Sequence, residues 1–153
     1  MSEEWLIDGY NLLHSLALDR QRLVETLLSF SSLKNLKVLL VFDGVGNDEE
    51  WSSFQTSNLK IIHSQLVSAD STIEKYLFEH KGKSLFKVVT NDYAITQMAR
   101  GFGAAVYHAE EFLKLLKETD KDKEDKFFQE KITSHGFNRP FHDKLKAWTK
   151  KLS

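Results

Sequence analysis

Acidic side chains recur where short apolar runs of the sequence end. Asp8 and Asp43 each directly follow such a run, and Asp92 comes three residues after the end of another. Apolar runs of this length, bounded by turn residues, are typical of buried strands. If the strands are parallel, their carboxyl ends share one edge of the sheet, where open α/β folds bind ligands. The three carboxylates should therefore converge on one site.

A fourth acid, Asp70, opens the helix predicted before the fourth strand, and Glu74 lies one turn later on the same face. Clustered carboxylates repel one another unless a positive charge compensates, and no lysine or arginine is embedded among these motifs. A divalent cation is the natural partner. Oxygen ligands without cysteine or a paired histidine motif favour Mg²⁺ or Mn²⁺ over zinc.

Each acid also has a simpler interpretation. A single aspartate after a strand is more often a turn former or a helix N-cap than a metal ligand. The recurrence of the acid at successive strand ends is what favours a site. Glu74 is either a ligand through water or a surface residue of its helix.

Polar residues beside the acids have two interpretations as well. Asn11 places an amide near the metal or a substrate phosphate, or it caps the following helix. Thr90 and Asn91 either bind a phosphate or satisfy the turn that carries them. The spacing alone leaves these alternatives open.

The elements that would position these residues alternate along the chain. Strands are predicted at residues 5–7, 37–42, 60–63, 85–89 and 104–107, with helices at 19–30, 71–80 and 91–100 and a loop or short helix at 45–58. Strands joined through helices of this length usually run parallel. The predicted fold is α/β, a three-layer sandwich whose central parallel sheet has helices on both faces.

Composition limits the classes of protein. The chain has 153 residues, 41% of them hydrophobic, and a net charge of -1, so nucleic acid would need a local basic patch. There is no cysteine, which excludes thiolate catalysis and cysteine-bound metals and is compatible with the cytoplasm. The sequence lacks a signal-peptide pattern and any apolar run long enough for a membrane span.

The predicted domains are a sheet domain at 1–118 and a charged helical extension at 119–153 that packs on or beside it. The composition of the sequence changes at this boundary, where Asp120 to Lys126 form a run of mixed charge.

Four motifs in order resemble the NYN domains of the PIN-like nuclease superfamily, in particular the YacP-like branch. They are Ile7-Asp8-Gly9-Tyr10-Asn11-Leu12-Leu13, Val41-Phe42-Asp43-Gly44, Ser68-Ala69-Asp70-Ser71-Thr72-Ile73-Glu74 and Val88-Val89-Thr90-Asn91-Asp92. The resemblance covers roughly residues 4–118. Ser68 and Asn91 stand where the family commonly has threonine and serine, which concerns neighbouring hydrogen bonds rather than the acids.

The resemblance implies a PIN-like sheet in the order 3-2-1-4-5, a Mg²⁺ or Mn²⁺ site and endoribonuclease activity that leaves a 5′ phosphate and a 3′ hydroxyl. It assigns Asp8, Asp43, Asp70 and Asp92 to the catalytic and metal-binding site, with Asn11 beside them. It also implies bacterial RNA turnover, with the ribosome as an expected partner.

Basic and aromatic side chains are needed to hold RNA, because cations neutralise phosphates and rings stack on unpaired bases. The candidates are Tyr10, Trp51, Lys60, Arg100, Arg139 and Lys144. Tyr10 and Trp51 could equally belong to the core, and the basic tail around Arg139 could be a solvated amphipathic helix.

Other functions are weighed against this one. A haloacid-dehalogenase-type phosphatase needs a second aspartate where Tyr10 stands, and no serine-nucleophile elbow, P-loop or dinucleotide fingerprint occurs. A PIN-like RNA-binding or ribosome-docking module with weak catalysis remains open. A structure-specific DNA nuclease is a third candidate, although the short chain leaves little room for a helical clamp.

Overall fold

The protein is built on one parallel sheet, seen in a computed structural model that describes residues 2–119. Its strands are β1 (Ser2–Asp8), β2 (Lys37–Phe42), β3 (Leu59–His63), β4 (Ser84–Val89) and β5 (Ala105–Tyr107). The order is β3-β2-β1-β4-β5, and every neighbouring pair is parallel. The predicted α/β fold and strand order are thereby confirmed.

Helices connect the strands. They are α1 (Gly9–Leu16), α2 (Arg20–Lys34), α3 (Ala69–Glu79) and α4 (Tyr93–Gly101), with a 3₁₀ helix at Asp48–Phe54 and helical residues at 109–119. The prediction omitted α1, which begins directly after the first strand. Within the described part of the chain, no helix is long and apolar enough to cross a membrane.

Helices cover both faces of the sheet because its strands are apolar on both sides. On one face Leu6 and Val88 belong to a buried cluster with Ile73 of α3 and Ile95 of α4. On the other face the ring of Trp5 packs edge-on against Phe30 of α2, with ring centroids 5.5 Å apart. The three-layer arrangement follows from this alternation.

Gly9 allows α1 to lie close to β2. A Cβ atom built on Gly9 would come within 2.7 Å of the Phe42 ring and 2.9 Å of the Val41 carbonyl oxygen. No side chain fits there unless one of the two elements moves. Gly9 therefore determines where the chain goes immediately after Asp8.

Contacts divide the chain into two units, Met1–Phe112 and Leu113–Ser153. The sheet and all the residues of the site described below lie in the first unit. The predicted helical extension at 119–153 falls, apart from Thr119, outside the described residues and stays a prediction.

Candidate active site

Asp8 lies at the carboxyl end of β1, the central strand of the sheet. Its side chain is buried, with only 7% exposed, and its Oδ2 accepts a hydrogen bond of 3.0 Å from the Thr90 hydroxyl. Thr90 follows β4, the neighbour of β1, and is itself buried. Although Asp8 precedes α1, its side chain makes no capping bond to that helix. The carboxylate is thus held in place by the adjacent strand end.

The environment of Asp8 opposes its negative charge. Burial raises the pKa of Asp8 from 3.8 to about 6, and the charges of Asp92 and Asp43 add to the effect. The Thr90 hydroxyl and the backbone amide of Asn11 offset part of it. Among the described residues, no cation is one of the groups that shift the pKa of this carboxylate. Asp92 and Asp43 therefore lie close enough to Asp8 to act on its charge.

Asp43 and Asp92 also fix the starts of two helices. Asp43 Oδ1 accepts a 2.8 Å hydrogen bond from the backbone amide of Ala69, the first residue of α3. Asp92 is the N-cap of α4, and its Oδ1 accepts a 3.0 Å bond from the Ile95 amide. Both side chains are otherwise exposed. The capping interpretation and the site interpretation are compatible, because each bond uses one of two carboxylate oxygens.

Asp70 and Glu74 both lie on α3. Asp70, in the first turn of α3, is half-buried and is next to the Ala69 amide that binds Asp43. It is not among the charges that raise the pKa of Asp8. Glu74 is exposed one turn along α3. The acids whose charges act on Asp8 are thus Asp43 and Asp92.

The acids are near one another but do not form a complete metal cage. Among residues 2–119, no three acidic or histidine side chains are arranged so that they could hold one ion. The bonds of Asp43 to Ala69 and of Asp92 to Ile95 direct one oxygen of each carboxylate toward a helix. Mg²⁺ commonly uses only one or two carboxylates together with water and substrate phosphate. The carboxylates therefore fit an open site, in which water and phosphate supply the remaining ligands, and do not fit a closed site made of protein ligands alone.

Asn11 and Asn91 organise the turn between β4 and α4. The Asn11 side-chain oxygen accepts a 2.7 Å bond from the Asn91 backbone amide. The Asn91 side chain donates to Ser15 Oγ at 3.0 Å and accepts from the Ala109 amide at 2.8 Å. The Thr90 hydroxyl, which donates to Asp8, accepts from the Asp92 amide at 3.0 Å. These contacts hold Thr90 and Asp92 beside Asp8.

The loop after Asp43 is held by a buried histidine. His63 Nδ1 lies 2.7 Å from Asp48 Oδ1, and its Nε2 lies 3.2 Å from a guanidinium nitrogen of Arg20. Because arginine only donates, Nε2 accepts, so Nδ1 carries the proton and donates to Asp48. Gly46 lies against this ring so closely that a Cβ atom there would overlap it. This network was not predicted from the sequence, because Asp48 and Arg20 lie 15 and 43 residues from His63 along the chain.

The predicted RNA contacts have different locations. Tyr10, 40% exposed, lies in the first turn of α1 next to the acids, and its ring packs on Phe42. Trp51 is buried with its ring near Phe42, so it belongs to the core. Lys60 is the second residue of β3 and so lies near the amino end of that strand, whereas the acids follow the carboxyl ends of their strands. Arg100 is exposed in the last turn of α4.

Two further RNA-contact candidates, Arg139 and Lys144, lie outside the described residues. A further exposed aromatic residue, Tyr93, was not among the sequence-predicted candidates; it follows Asp92 at the start of α4 and is 77% exposed. Its position directly after a predicted site acid was the available indication.

Comparison with known proteins agrees with this fold. The family model described as the YacP-like NYN domain matches residues 5–152. The chain belongs to the YacP-like NYN domain family. A crystal structure of Rae1 (YacP) from Bacillus subtilis, carrying the W164L mutation, is 20% identical, with a TM-score of 0.68, and the match covers 97% of this chain and 99% of that one.

A second crystal structure of Bacillus subtilis Rae1 (YacP) is 22% identical, again with a TM-score of 0.68, and the match covers 84% of this chain and 82% of that chain. At these identities the likeness shows the fold. A comparison with curated protein sequences gives no match. NYN domains are PIN-like nuclease domains, and membership of the YacP-like branch supports a nuclease-type function on RNA.

Proposed function

We propose that this YacP-like NYN domain is a metal-dependent endoribonuclease that hydrolyses RNA phosphodiester bonds beside Asp8, Asp43 and Asp92. The main support is the state of Asp8. It is buried, and its pKa is raised to about 6 by burial and by two neighbouring carboxylates, while no cation within residues 2–119 acts on that pKa. A Mg²⁺ or Mn²⁺ ion would relieve that excess of negative charge.

Asp8 is the proposed principal ligand, together with Asp92 or Asp43. Asp70 would help through water, since it lies one residue from the Ala69 amide that binds Asp43. Such an ion supplies Lewis-acid activation of the phosphate and makes an attacking water more acidic. The open donor set leaves positions for phosphate and water oxygens.

The chain's own residues would position these groups. The Thr90 hydroxyl fixes the orientation of Asp8, and the Asn11 and Asn91 contacts fix Thr90 and Asp92. Burial of Asp8 would strengthen its attraction for a bound cation because little water surrounds it. Hydrolysis would leave a 5′ phosphate and a 3′ hydroxyl, and the expected setting is RNA turnover or mRNA decay in a bacterial cytoplasm.

The test is cleavage of labelled single-stranded RNA by purified protein with Mn²⁺, comparing the unaltered chain with Asp8→Asn. Asn keeps the shape and the acceptor for Thr90 but removes the charge. We expect the Asp8→Asn variant to lose at least about a hundredfold in rate, since metal-bound charge contributes several kcal/mol. A DNA strand of the same sequence tests the preference for RNA.

Asp19→Asn is the matched control. Asp19 caps α2 through a bond to the Arg22 amide and is exposed, so its replacement removes one acid and keeps the helix cap. This variant should cut RNA at the unaltered rate. Equal cutting by the original chain and Asp8→Asn would mean that the activity comes from elsewhere, and the proposal would fail.

A second candidate is an RNA-binding or ribosome-docking module with weak catalysis. It is favoured by one observation, the lack of three acidic or histidine side chains in a ligating arrangement among residues 2–119. In that case Asp8→Asn would bind RNA or ribosomes as well as the unaltered chain does, and neither protein would cut RNA with Mn²⁺.

A further inference from the structure

The exposed face of α4 begins at the acids and runs away from them. Asp92 caps the helix, and Tyr93 is its first residue. Tyr93, Gln97 and Arg100 are all exposed, whereas Ile95, Thr96 and Ala99 are buried against the sheet domain. Residues spaced by four and three lie on one side of a helix. The three exposed side chains therefore form a single stripe, which we call the α4 stripe.

Tyr93 exposes 77% of its surface, an unusual state for a large aromatic residue. Tyr10, the other tyrosine next to the acids, packs its ring on Phe42. Tyr93 has no such ring partner in the described part of the chain. An uncovered ring offers a face for stacking, which contributes about 1–3 kcal/mol per unpaired base.

Charge distinguishes α4 from the helix beside it. Both α3 and α4 pack on the same face of the sheet. α3 carries three acids, Asp70, Glu74 and Glu79, and one base, Lys75, whereas α4 carries no acid and has Arg100 in its last turn. A polyanion leaving the acidic edge is repelled along α3 and is not repelled along α4.

We propose that the α4 stripe binds the single-stranded RNA segment adjacent to the cleaved bond. Tyr93 stacks on an unpaired base, and Arg100 contacts a backbone phosphate. At 1.5 Å per residue the two are about 10 Å apart along the helix, the span of a short single-stranded segment. The inference rests on the proposed nuclease function and specifies its substrate as unpaired RNA.

The test measures binding of a short fluorescein-labelled oligoadenylate by fluorescence anisotropy in EDTA, where no metal-dependent cutting occurs. We expect Tyr93→Ala to weaken binding about tenfold, and Tyr93→Phe to bind like the unaltered chain, because stacking needs the ring. Phe78→Ala is the matched control, since Phe78 is a 70% exposed aromatic residue on α3.

Arg100 is tested by salt dependence. Arg100→Ala should reduce the slope of log affinity against log salt concentration by about 0.7, the value for one phosphate contact on a single strand. Lys75→Ala, which removes an exposed cation from α3, should leave the slope unchanged.

Three results would overturn the inference. The first is equal binding of oligoadenylate by the unaltered chain and Tyr93→Ala. The second is that Tyr93→Ala weakens the binding of duplex RNA as much as it weakens the binding of oligoadenylate. The third is that the unaltered chain does not bind oligoadenylate. The Asp8→Asn cleavage assay decides the nuclease proposal separately. Asp8-dependent cutting without an effect of Tyr93 would reject the α4 stripe alone.

Discussion

At the scale of single residues, the charge of Asp8 is opposed by its surroundings, so function and stability should conflict there. The pKa of Asp8 is about 6 in the folded protein, against 3.8 for the unperturbed group. Between these pH values the folded state holds more protons than the unfolded chain does. The free energy of unfolding therefore falls as pH rises through this window, by roughly 3 kcal/mol in total.

The first prediction is that Asp8→Asn stabilises the metal-free protein at neutral pH. Removing the unfavourable charge should raise the free energy of unfolding by about 1 to 3 kcal/mol at pH 7, and the gain should vanish near pH 4. Urea denaturation in EDTA at the two pH values measures it. Asp19→Asn should show no such pH-dependent gain, and a gain independent of pH would contradict the explanation.

The second prediction concerns the Thr90 hydroxyl, which lowers the pKa of Asp8 by donating to it. Thr90→Val keeps the shape and removes this bond, so the acidic limb of the cleavage-rate profile should move to higher pH. The rate below pH 7 should fall about tenfold. Thr90→Ser retains the hydroxyl and should restore the original profile; a uniform loss at every pH in Thr90→Val would instead indicate general misfolding.

At the scale of elements, the position of α1 depends on the missing side chain of Gly9. The third prediction is that Gly9→Ala destabilises the protein by about 1–3 kcal/mol and lowers cleavage, because the added methyl meets Phe42 and the Val41 carbonyl. Thermal unfolding and the cleavage assay measure both effects.

Gly101→Ala is the control for that substitution. Gly101 is the last residue of α4, and a Cβ atom there would meet nothing within 4 Å. Since alanine favours helix more than glycine does, this variant should be as stable as the original chain or slightly more so. Equal stability of Gly9→Ala and Gly101→Ala would show that α1 adjusts freely.

The elements also show what the sequence could predict. Buried parallel strands are continuous apolar runs, and the predicted 37–42 strand coincides with β2. β1 extends over the polar residues Ser2 to Glu4, which carry no apolar pattern. α1 was missed because Gly9 suggests a turn, whereas here glycine is required by the closeness of Phe42.

The site was predictable only in part, for a physical reason. Asp8, Asp43 and Asp92 follow strands whose carboxyl ends share one edge of the sheet, and this parallel arrangement could be predicted from the order of elements. The strand order itself was implied by the family resemblance. The hydrogen bonds that orient these side chains could not be predicted. Thr90 to Asp8 and Asn11 to Asn91 join residues about eighty positions apart, and the choice among competing donors depends on packing that no local pattern encodes.

At the scale of the whole molecule, a divalent cation should stabilise the fold as it binds. The fourth prediction is that Mn²⁺ raises the thermal midpoint of the unaltered chain at pH 7.5, by about 2–3 kcal/mol of stability at a hundredfold excess over the dissociation constant. EDTA should reverse the shift. Below pH 6 the effect should weaken, because protons compete for Asp8.

Asp8→Asn should show little or no stabilisation by Mn²⁺ under the same conditions. If Mn²⁺ stabilises this variant and the unaltered chain equally, then the ion binds somewhere other than beside Asp8. Mg²⁺ in place of Mn²⁺ tests whether the site prefers one of the two ions.

The three aspartates differ in their structural roles, and this difference has an evolutionary consequence. Asp43 and Asp92 each hold the beginning of a helix, whereas the side chain of Asp8 caps nothing. In a lineage that no longer needs to cut RNA, selection for folding alone would keep cap-forming residues at positions 43 and 92. Position 8 would instead drift toward apolar residues, so a relative with that pattern would be a nuclease that has lost its activity.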